Sequence, residues 1–528
     1  MTNQTKTIAK GISVLGLTGI VNKLIGVLYS IPLARILKPE GLGLFQTVFP
    51  TYNLFLTISS AGLPVAVSRM VAHYLATEDE PNARRTFSAA LKLLFTIGLF
   101  FTLIMVISNR MLTGLVGVEE ASKGFYTIAP CVLIVCVLSA FRGYIQGHQN
   151  MVPTAVSQMI EQVGKVIVSL PLAAIGMRTS MADGAAWALL GITLVEGIAL
   201  AYMIILYFLH EKKKAPAVQP AASAGSPVSQ KRLARQLITI SIPITVSACI
   251  IPLAQFIDSA LMVNRMVVSG LTRTAATSLY GIFSGMVIRL INIPTALALA
   301  ISMSLVPAVS AAKAREDREA IMLESNTGLR YASLIGLPCS IGMSLLAKPI
   351  LAIFYTGTLT PERMQTAAEL LQVSSLTVFL FTMVQATSSI LQGLHKQKIP
   401  MYTMIAGVGC KILLNYLLIG TPGINIHGGP VASIVCYSVA MIPNLFFCCK
   451  YAEMRFRWMD WIVRPGLAAL GMGLAVYGLK LILPESFLST VLMILTGVCV
   501  YLAIAFLDHA LSKSDLQGIL RLGKRRRR

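Results

Sequence analysis

Long apolar stretches separated by short polar segments run along the whole 528-residue chain. About fourteen of them reach roughly 20 residues, the length an α-helix needs to cross a hydrocarbon core of about 30 Å. We place them at 11–33, 43–64, 87–107, 125–146, 154–176, 185–209, 237–262, 279–305, 330–354, 369–392, 400–420, 429–449, 462–483 and 487–507. The pattern predicts an all-α integral membrane protein with about fourteen transmembrane helices.

All but the last two stretches divide into two halves that resemble each other. Gly147 lies in "GYIQGHQNMVPTAVSQMIEQVGK" and Gly393 in "LQGLHKQKIPMYTMIAGVGCK", and Lys165 and Lys411 each follow their glycine by eighteen positions. A second echo joins "PTYNLFLTISSAGLPVAVS" to "PTALALAISMSLVPAVS". Parallel repeats in a membrane protein are typical of transporters, in which two lobes expose a central cavity to each side in turn.

The repeat and the polar interruptions predict five parts. They are an N-terminal six-helix lobe at 1–210, a basic Pro/Ala/Ser-rich cytoplasmic linker at 211–236, a C-terminal six-helix lobe at 237–450, two additional helices at 451–507 and a basic tail at 508–528. The expected architecture is therefore two pseudo-symmetric lobes with two extra C-terminal helices.

Composition and charge agree with a membrane protein. Hydrophobic residues make up 55% of the chain and charged residues 12%, and most of the 44 Lys and Arg residues fall in alternate loops. The positive-inside rule then predicts a multi-pass protein of the cell membrane with both termini cytoplasmic. Because the charge is spread over loops, a nucleic-acid partner is not expected, and the tail "GKRRRR" is expected to contact anionic membrane lipids.

Cations inside the apolar stretches are the main candidates for a binding site, because charge in the hydrocarbon region is costly. Lys23 and Arg289 each lie well inside a span and have no acid within four positions on the same helix. Facing each other across a cavity, they would hold an anion such as a diphosphate, which the planar fork of Arg suits well. The alternative is that each pairs with Asp258, Glu196 or helix-end carbonyl groups.

Two further cations occupy equivalent places in the two halves. Lys165 follows Glu161 by four positions on the same predicted helix, so the two side chains can pair on one face. The pair is either self-neutralising or in contact with substrate. Lys165, its repeat equivalent Lys411 and Glu161 are accordingly second-rank candidates for substrate binding.

From Arg142 to Lys165, "RGYIQGHQNMVPTAVSQMIEQVGK" resembles the stage V sporulation protein B group of the multidrug/oligosaccharidyl-lipid/polysaccharide exporter superfamily. The resemblance extends over nearly the whole chain and includes the lipid II flippases. It implies fourteen spans, both termini inside and a cavity between two lobes. It also implies that Arg289 matches a span-8 arginine and that Lys23 replaces a span-1 arginine.

The resemblance implies a candidate cation site as well. Some relatives bind sodium between an acid of span 7 and polar residues of span 11, which here correspond to Asp258 and Asn415. Lys411 could instead neutralise Asp258. Coupling to sodium, protons or the membrane potential is therefore left open.

These observations predict a flippase that moves an undecaprenyl-diphosphate-linked oligosaccharide, such as a peptidoglycan precursor, by alternating access in spore cortex or cell-wall synthesis. The alternatives are a flippase for polysaccharide units and a multidrug or cation antiporter of the same superfamily. The acids and histidines form no metal-like or nucleophile pattern, so we expect no enzyme, no catalytic residue, no metal and no cofactor. The protein is expected to be a monomer.

Overall fold

The computed structural model describes residues 3–214, 228–454, 456–508 and 510–511, and all regular structure within them is helical. The chain divides into two compact units, Met1–Gly285 and Met286–Arg528. Helices of the first unit are α1 (Asn3–Ser60), α2 (Leu63–Ala76), α3 (Glu80–Ile107), α4 (Asn109–Val116), α5 (Ser122–Gly147), α6 (Val152–Gly164), α7 (Leu170–Gly176), α8 (Met181–Lys214), α9 (Gln230–Val268) and α10 (Arg273–Tyr280). Helices of the second are α11 (Ile288–Ala314), α12 (Arg318–Leu345), α13 (Ala347–Tyr355), α14 (Pro361–Ser374), α15 (Leu376–Gly393), α16 (Lys398–Ile419), α17 (Gly428–Tyr451), α18 (Arg464–Ile482) and α19 (Phe487–Leu507).

Membrane-length helices account for most of the chain. In the described residues, 12 helices are long and apolar enough to cross a membrane, or up to 13 if the bent pair α12–α13 is one span. The first predicted span and most of the second fall in α1, which bends at Lys38, where φ is 56°. Lys38 precedes Pro39, and the residue before a proline is disfavoured in helical geometry. The all-α membrane architecture is confirmed, while the count of about fourteen spans stays a prediction.

Several helices begin at a polar side chain that accepts a hydrogen bond from the first turn. These N-caps are Asp79 at α3, Ser229 at α9, Thr272 at α10, Asp317 at α12, Thr360 at α14 and Ser486 at α19. Such caps satisfy backbone N–H groups that the helix itself leaves without a partner. They also fix where the short loops end.

The first unit extends past the predicted end of the N-terminal lobe. Within it, α5 packs against α1, α2, α3 and α8, and α9 packs against α1 to α4. The Gly62 backbone N–H donates to Thr245 Oγ1 of α9 at 3.1 Å, and Asn264 Nδ2 of α9 donates to the Leu115 carbonyl at 2.8 Å. By contacts, α9 and α10 therefore belong with the first half of the chain. The predicted lobe boundaries stay a prediction.

The two predicted hydrophilic segments are only partly described. Residues 211–214 of the predicted linker complete α8 and residues 230–236 begin α9, while 215–227 lie outside the described residues. Of the predicted tail, 509 and 512–528 also lie outside them.

The repeated glycines make the same kind of helix contact in the two units. A Cβ on Gly147 of α5 would lie 2.6 Å from Val71 Cγ1 of α2, and a Cβ on Gly393 of α15 would lie 2.8 Å from Val309 Cβ of α11. Small residues let membrane helices approach closely enough for backbone-to-side-chain packing. The sequence echo thus corresponds to a shared packing feature.

In the second unit, α15 packs against α11, α12 and α17, and the two C-terminal helices attach to α12. Their apolar core includes Ala468, Met472 and Met493 against Leu334 of α12. The Tyr501 hydroxyl of α19 donates to the Leu334 carbonyl at 2.8 Å. The helices without a counterpart in the repeat are therefore anchored along α12.

Replacing Gly43 by alanine is expected to destabilise the first unit. A Cβ there would lie 2.1 Å from the Thr277 carbonyl oxygen of α10, whereas a Cβ on Gly197 of α8 would meet no heavy atom within 4 Å. Overpacking costs about 1–3 kcal/mol, while both variants gain up to about 1 kcal/mol in helix propensity. In detergent, Gly43→Ala should lower the thermal midpoint relative to Gly197→Ala. Equal midpoints would show that the backbones are not in contact.

Candidate functional site

Four charged side chains meet inside the first unit, and we call them the charge cluster. They are Arg142 of α5, Glu161 of α6, Lys165 in the π-helical turn that follows α6, and Glu196 of α8. The side chains of all four are less than one-fifth exposed. Such groups are rare in transmembrane helices unless they are paired or functional.

Arg142 and Glu161 form the tighter half of the charge cluster. The Arg142 guanidinium donates from Nη2 to Glu161 Oε1, and its Nε donates to Ser157 Oγ at 2.9 Å. Ser157 in turn donates to the Thr154 carbonyl at 2.8 Å. Arg142 is thus held at two of its nitrogens by neighbouring turns of α6.

Lys165 and Glu196 form the looser half. Lys165 Nζ lies 4.0 Å from Glu196 Oε1, the outer limit of an ion pair. Glu196 is 6% exposed, and its Oε2 has no hydrogen-bond partner among the described residues. Buried polar atoms nearly always have a partner, so this oxygen marks an incomplete arrangement.

One π-helical turn contains a predicted cation, and a second π-helical turn lies just before another predicted cation. Lys165 opens the π turn Lys165–Ser169, and Arg289 lies two residues after the π turn Gly281–Val287. The wider helix in such turns interrupts the regular hydrogen-bond ladder, and π turns occur frequently at functional sites. Neither turn was apparent from the hydrophobic pattern.

The remaining predicted residues lie on helices of both units. Lys23 belongs to α1, but its side chain lies outside the described residues. Asp258 belongs to α9 in the first unit, whereas the partly buried Arg289 belongs to α11 in the second. Lys411 and the buried Asn415 lie one turn apart on α16 of the second unit.

The predicted pair Glu161–Lys165 finds its ionic partners on other helices. Glu161 pairs with Arg142, and Lys165 lies nearest Glu196. Long Arg and Lys side chains can reach across a helix interface, so spacing along a single helix does not determine the partner. Sequence reasoning did not select Arg142 as a site residue. Its location near the end of α5, with Glu161 on the next antiparallel helix, was the available signal.

The family model described as polysaccharide biosynthesis protein matches residues 8–313, more than half of the chain. The chain belongs to that family. The model described as MatE matches residues 243–417. Of the curated relatives, lipid II flippase MurJ of Bacillus subtilis is 25% identical over 462 residues, covering 85% of this chain and 84% of that protein. Stage V sporulation protein B of the same organism is 27% identical over 436 residues, covering 81% of each.

Solved structures show the same fold. Lipid II flippase MurJ in an inward closed conformation has a TM-score of 0.70 at 14% identity, covering 93% of this chain and 97% of that one. An inward-facing multidrug resistance MATE family transporter of the MOP superfamily has a TM-score of 0.65 at 16% identity, covering 84% and 98%. The predicted membership of the superfamily is confirmed. This member of the polysaccharide biosynthesis protein family is a multi-pass membrane protein.

Proposed function

We propose that this protein is a flippase for a lipid-linked anionic oligosaccharide, an undecaprenyl-diphosphate-linked peptidoglycan precursor being the first candidate. The observation that carries the proposal is the match to lipid II flippase MurJ over 85% of the chain. The likeness to stage V sporulation protein B supports a role in spore cortex or cell-wall synthesis. The charged groups within the spans suit a charged headgroup better than an apolar drug.

In this proposal Lys23 and Arg289 bind the diphosphate. Arg289 would bind two phosphate oxygens through its planar fork, and Lys23 would act as a compact charge. The lipid tail would stay in the bilayer while the lobes close on one side and open on the other. Lys165, Lys411 and Glu161 are second-rank candidates for contact with the headgroup.

We propose that both termini are cytoplasmic and that the protein acts as a monomer. Transporters of the MATE type couple to ions, and Asp258 with Asn415 is our candidate cation site. Sodium, protons and the membrane potential are the three candidate driving forces. Transport in vesicles with each gradient imposed separately distinguishes them.

Complementation of a flippase-depleted bacterium tests the function. Wild type should restore growth, while Lys23→Ala and Arg289→Ala should not, at equal membrane expression. Arg318→Ala is the matched control, because Arg318 is 79% exposed and pairs with the exposed Glu453. Failure of the well-expressed wild type would exclude the peptidoglycan precursor, and rescue by all variants would remove the proposed site.

An antiporter is the second candidate, because the MatE model matches residues 243–417. Exchange of a cationic drug for a proton or sodium needs an acid to bind the cation, and the predicted span 11–33 contains none. Overexpression should therefore leave resistance to cationic drugs unchanged. A raised resistance that needs Asp258 would favour the antiporter.

A further inference from the structure

Glu161 and Glu196 share the charge cluster: Glu161 precedes Lys165 by four positions, Glu196 Oε1 lies 4.0 Å from Lys165 Nζ, and the two acids repel each other as carboxylates. An ionised carboxylate can only accept hydrogen bonds, so two of them cannot bond to each other. A single proton held between them supplies the missing donor. The buried Oε2 of Glu196 has no hydrogen-bond partner among the described residues, so it is available to hold that proton.

The surrounding groups leave Glu196 as the less compensated acid. Arg142 of α5 binds Glu161 and Ser157, so its charge is directed at the other carboxylate. Lys165 is the cation within ion-pair distance of Glu196 in the described residues, at 4.0 Å, while Arg142 acts on Glu196 from farther away. Tyr52 of α1 and Cys131 of α5 also lie near the two acids. The Tyr52 hydroxyl and the Cys131 thiol form a hydrogen bond with each other at 3.1 Å.

We propose that Glu161 and Glu196 form a proton-binding site, and that its occupancy is linked to the engagement of Lys165. When Glu196 is ionised, it attracts Lys165. When one proton from water binds the pair, Glu196 is neutral and Lys165 is released to contact an anion. The step moves one proton onto one carboxylate and breaks no other covalent bond.

Linkage makes the effect reciprocal. An anion that draws Lys165 away leaves Glu196 without its cation in a buried place, where an isolated negative charge is costly. Binding of the anion should therefore be accompanied by uptake of a proton, and acidification should strengthen binding by the same coupling. The link between proton uptake and anion binding rests on the proposed function, whereas the proton-binding site itself does not.

Infrared spectroscopy of the purified protein without substrate tests the proton site. At about pH 7, where exposed glutamates are ionised, the wild type should show the carbonyl band of a buried protonated carboxyl. Glu196→Gln should lose that band, while Asp183→Asn should keep it. Asp183 lies on the same helix, but it pairs with the exposed Lys123. A band that persists in Glu196→Gln would overturn the proposal.

The double variant Glu196→Gln/Lys165→Met guards against misfolding, because it removes both members of the loose pair and leaves no buried cation without an acid. It should also lose the band. A retained band in the folded double variant would again overturn the site.

Calorimetry in buffers of different ionisation enthalpy tests the linkage. The probe is an undecaprenyl-diphosphate-linked sugar, whose diphosphate is esterified at both ends and has no proton to release near neutral pH. At a pH high enough to abolish the infrared band of the substrate-free protein, wild type should take up a fraction of a proton, up to one, per probe bound, and Glu196→Gln should take up none. Equal uptake by both proteins would overturn the linkage. Failure of wild type to bind would contradict the proposed function and with it the linkage, and the infrared result would still decide the proton site.

Discussion

Replacing Arg289 by alanine is expected to weaken binding of an undecaprenyl-diphosphate-linked sugar by about tenfold to a hundredfold. A hydrogen bond to a charged group contributes about 1.5–3 kcal/mol, and each 1.4 kcal/mol corresponds to about a factor of ten. Arg289 lies within a predicted span, two residues after a π-helical turn that interrupts the regular helix. The loss should appear in a binding titration of the purified protein in nanodiscs.

Arg289→Lys separates charge from geometry. It keeps the positive charge but loses the planar fork, so its affinity should fall between those of wild type and Arg289→Ala. Arg318→Ala should bind as wild type does, because Arg318 is exposed. If Arg289→Ala also binds as wild type does, Arg289 is not a ligand of the diphosphate.

Replacing Arg142 by alanine is expected to destabilise the protein more than Gly43→Ala or Lys123→Ala does. It would leave the Glu161 carboxylate, 12% exposed, without its cation and without the charged hydrogen bond. Removing one member of a buried ion pair costs about 3–5 kcal/mol, because the other charge stays buried and uncompensated. The thermal midpoint in detergent should fall strongly, and Arg142→Met combined with Glu161→Gln should recover much of it.

Lys123→Ala is the matched control for that experiment. Lys123 lies on α5 like Arg142 and pairs with Asp183 of α8 at 2.6 Å, but its side chain is 61% exposed. An exposed pair contributes only about 0–1 kcal/mol. Similar falls in the midpoint for Lys123→Ala and Arg142→Ala would contradict the assignment of a buried ion pair.

The sequence predicted the class of fold because hydropathy measures directly what a lipid bilayer selects. Twenty apolar residues in a row have few alternatives to a membrane helix. The repeat was also visible in the sequence. Gly147 and Gly393 lie where two helices are in contact, and a larger side chain at either position would overlap a valine of the neighbouring helix. The contacts of α9 with the first half of the chain could not be predicted. The repeat shows which helices of the two halves correspond, and not which helices pack against each other.

For the candidate site, the sequence predicted most of the charged residues but not which of them pair. Charges within spans are conspicuous, so Lys165, Glu161 and Glu196 could be found from the sequence. Their ionic partners could not be found from the sequence. A long side chain can reach several neighbouring helices, and the spacing along one helix indicates only a partner on that helix. Arg142 was overlooked because a basic residue near a helix end is ordinary, although the acid Glu161 on the next helix was a signal that could have identified it.

The measurement that tests the central claim most directly is flipping by the purified protein in liposomes. The probe is an undecaprenyl-diphosphate-linked sugar with a fluorescent headgroup, and a membrane-impermeant quencher reports which leaflet holds it. Wild type should move the probe between leaflets faster than empty liposomes do, and Arg289→Ala should be much slower than Arg318→Ala. A wild type no faster than empty liposomes would contradict the proposed flippase.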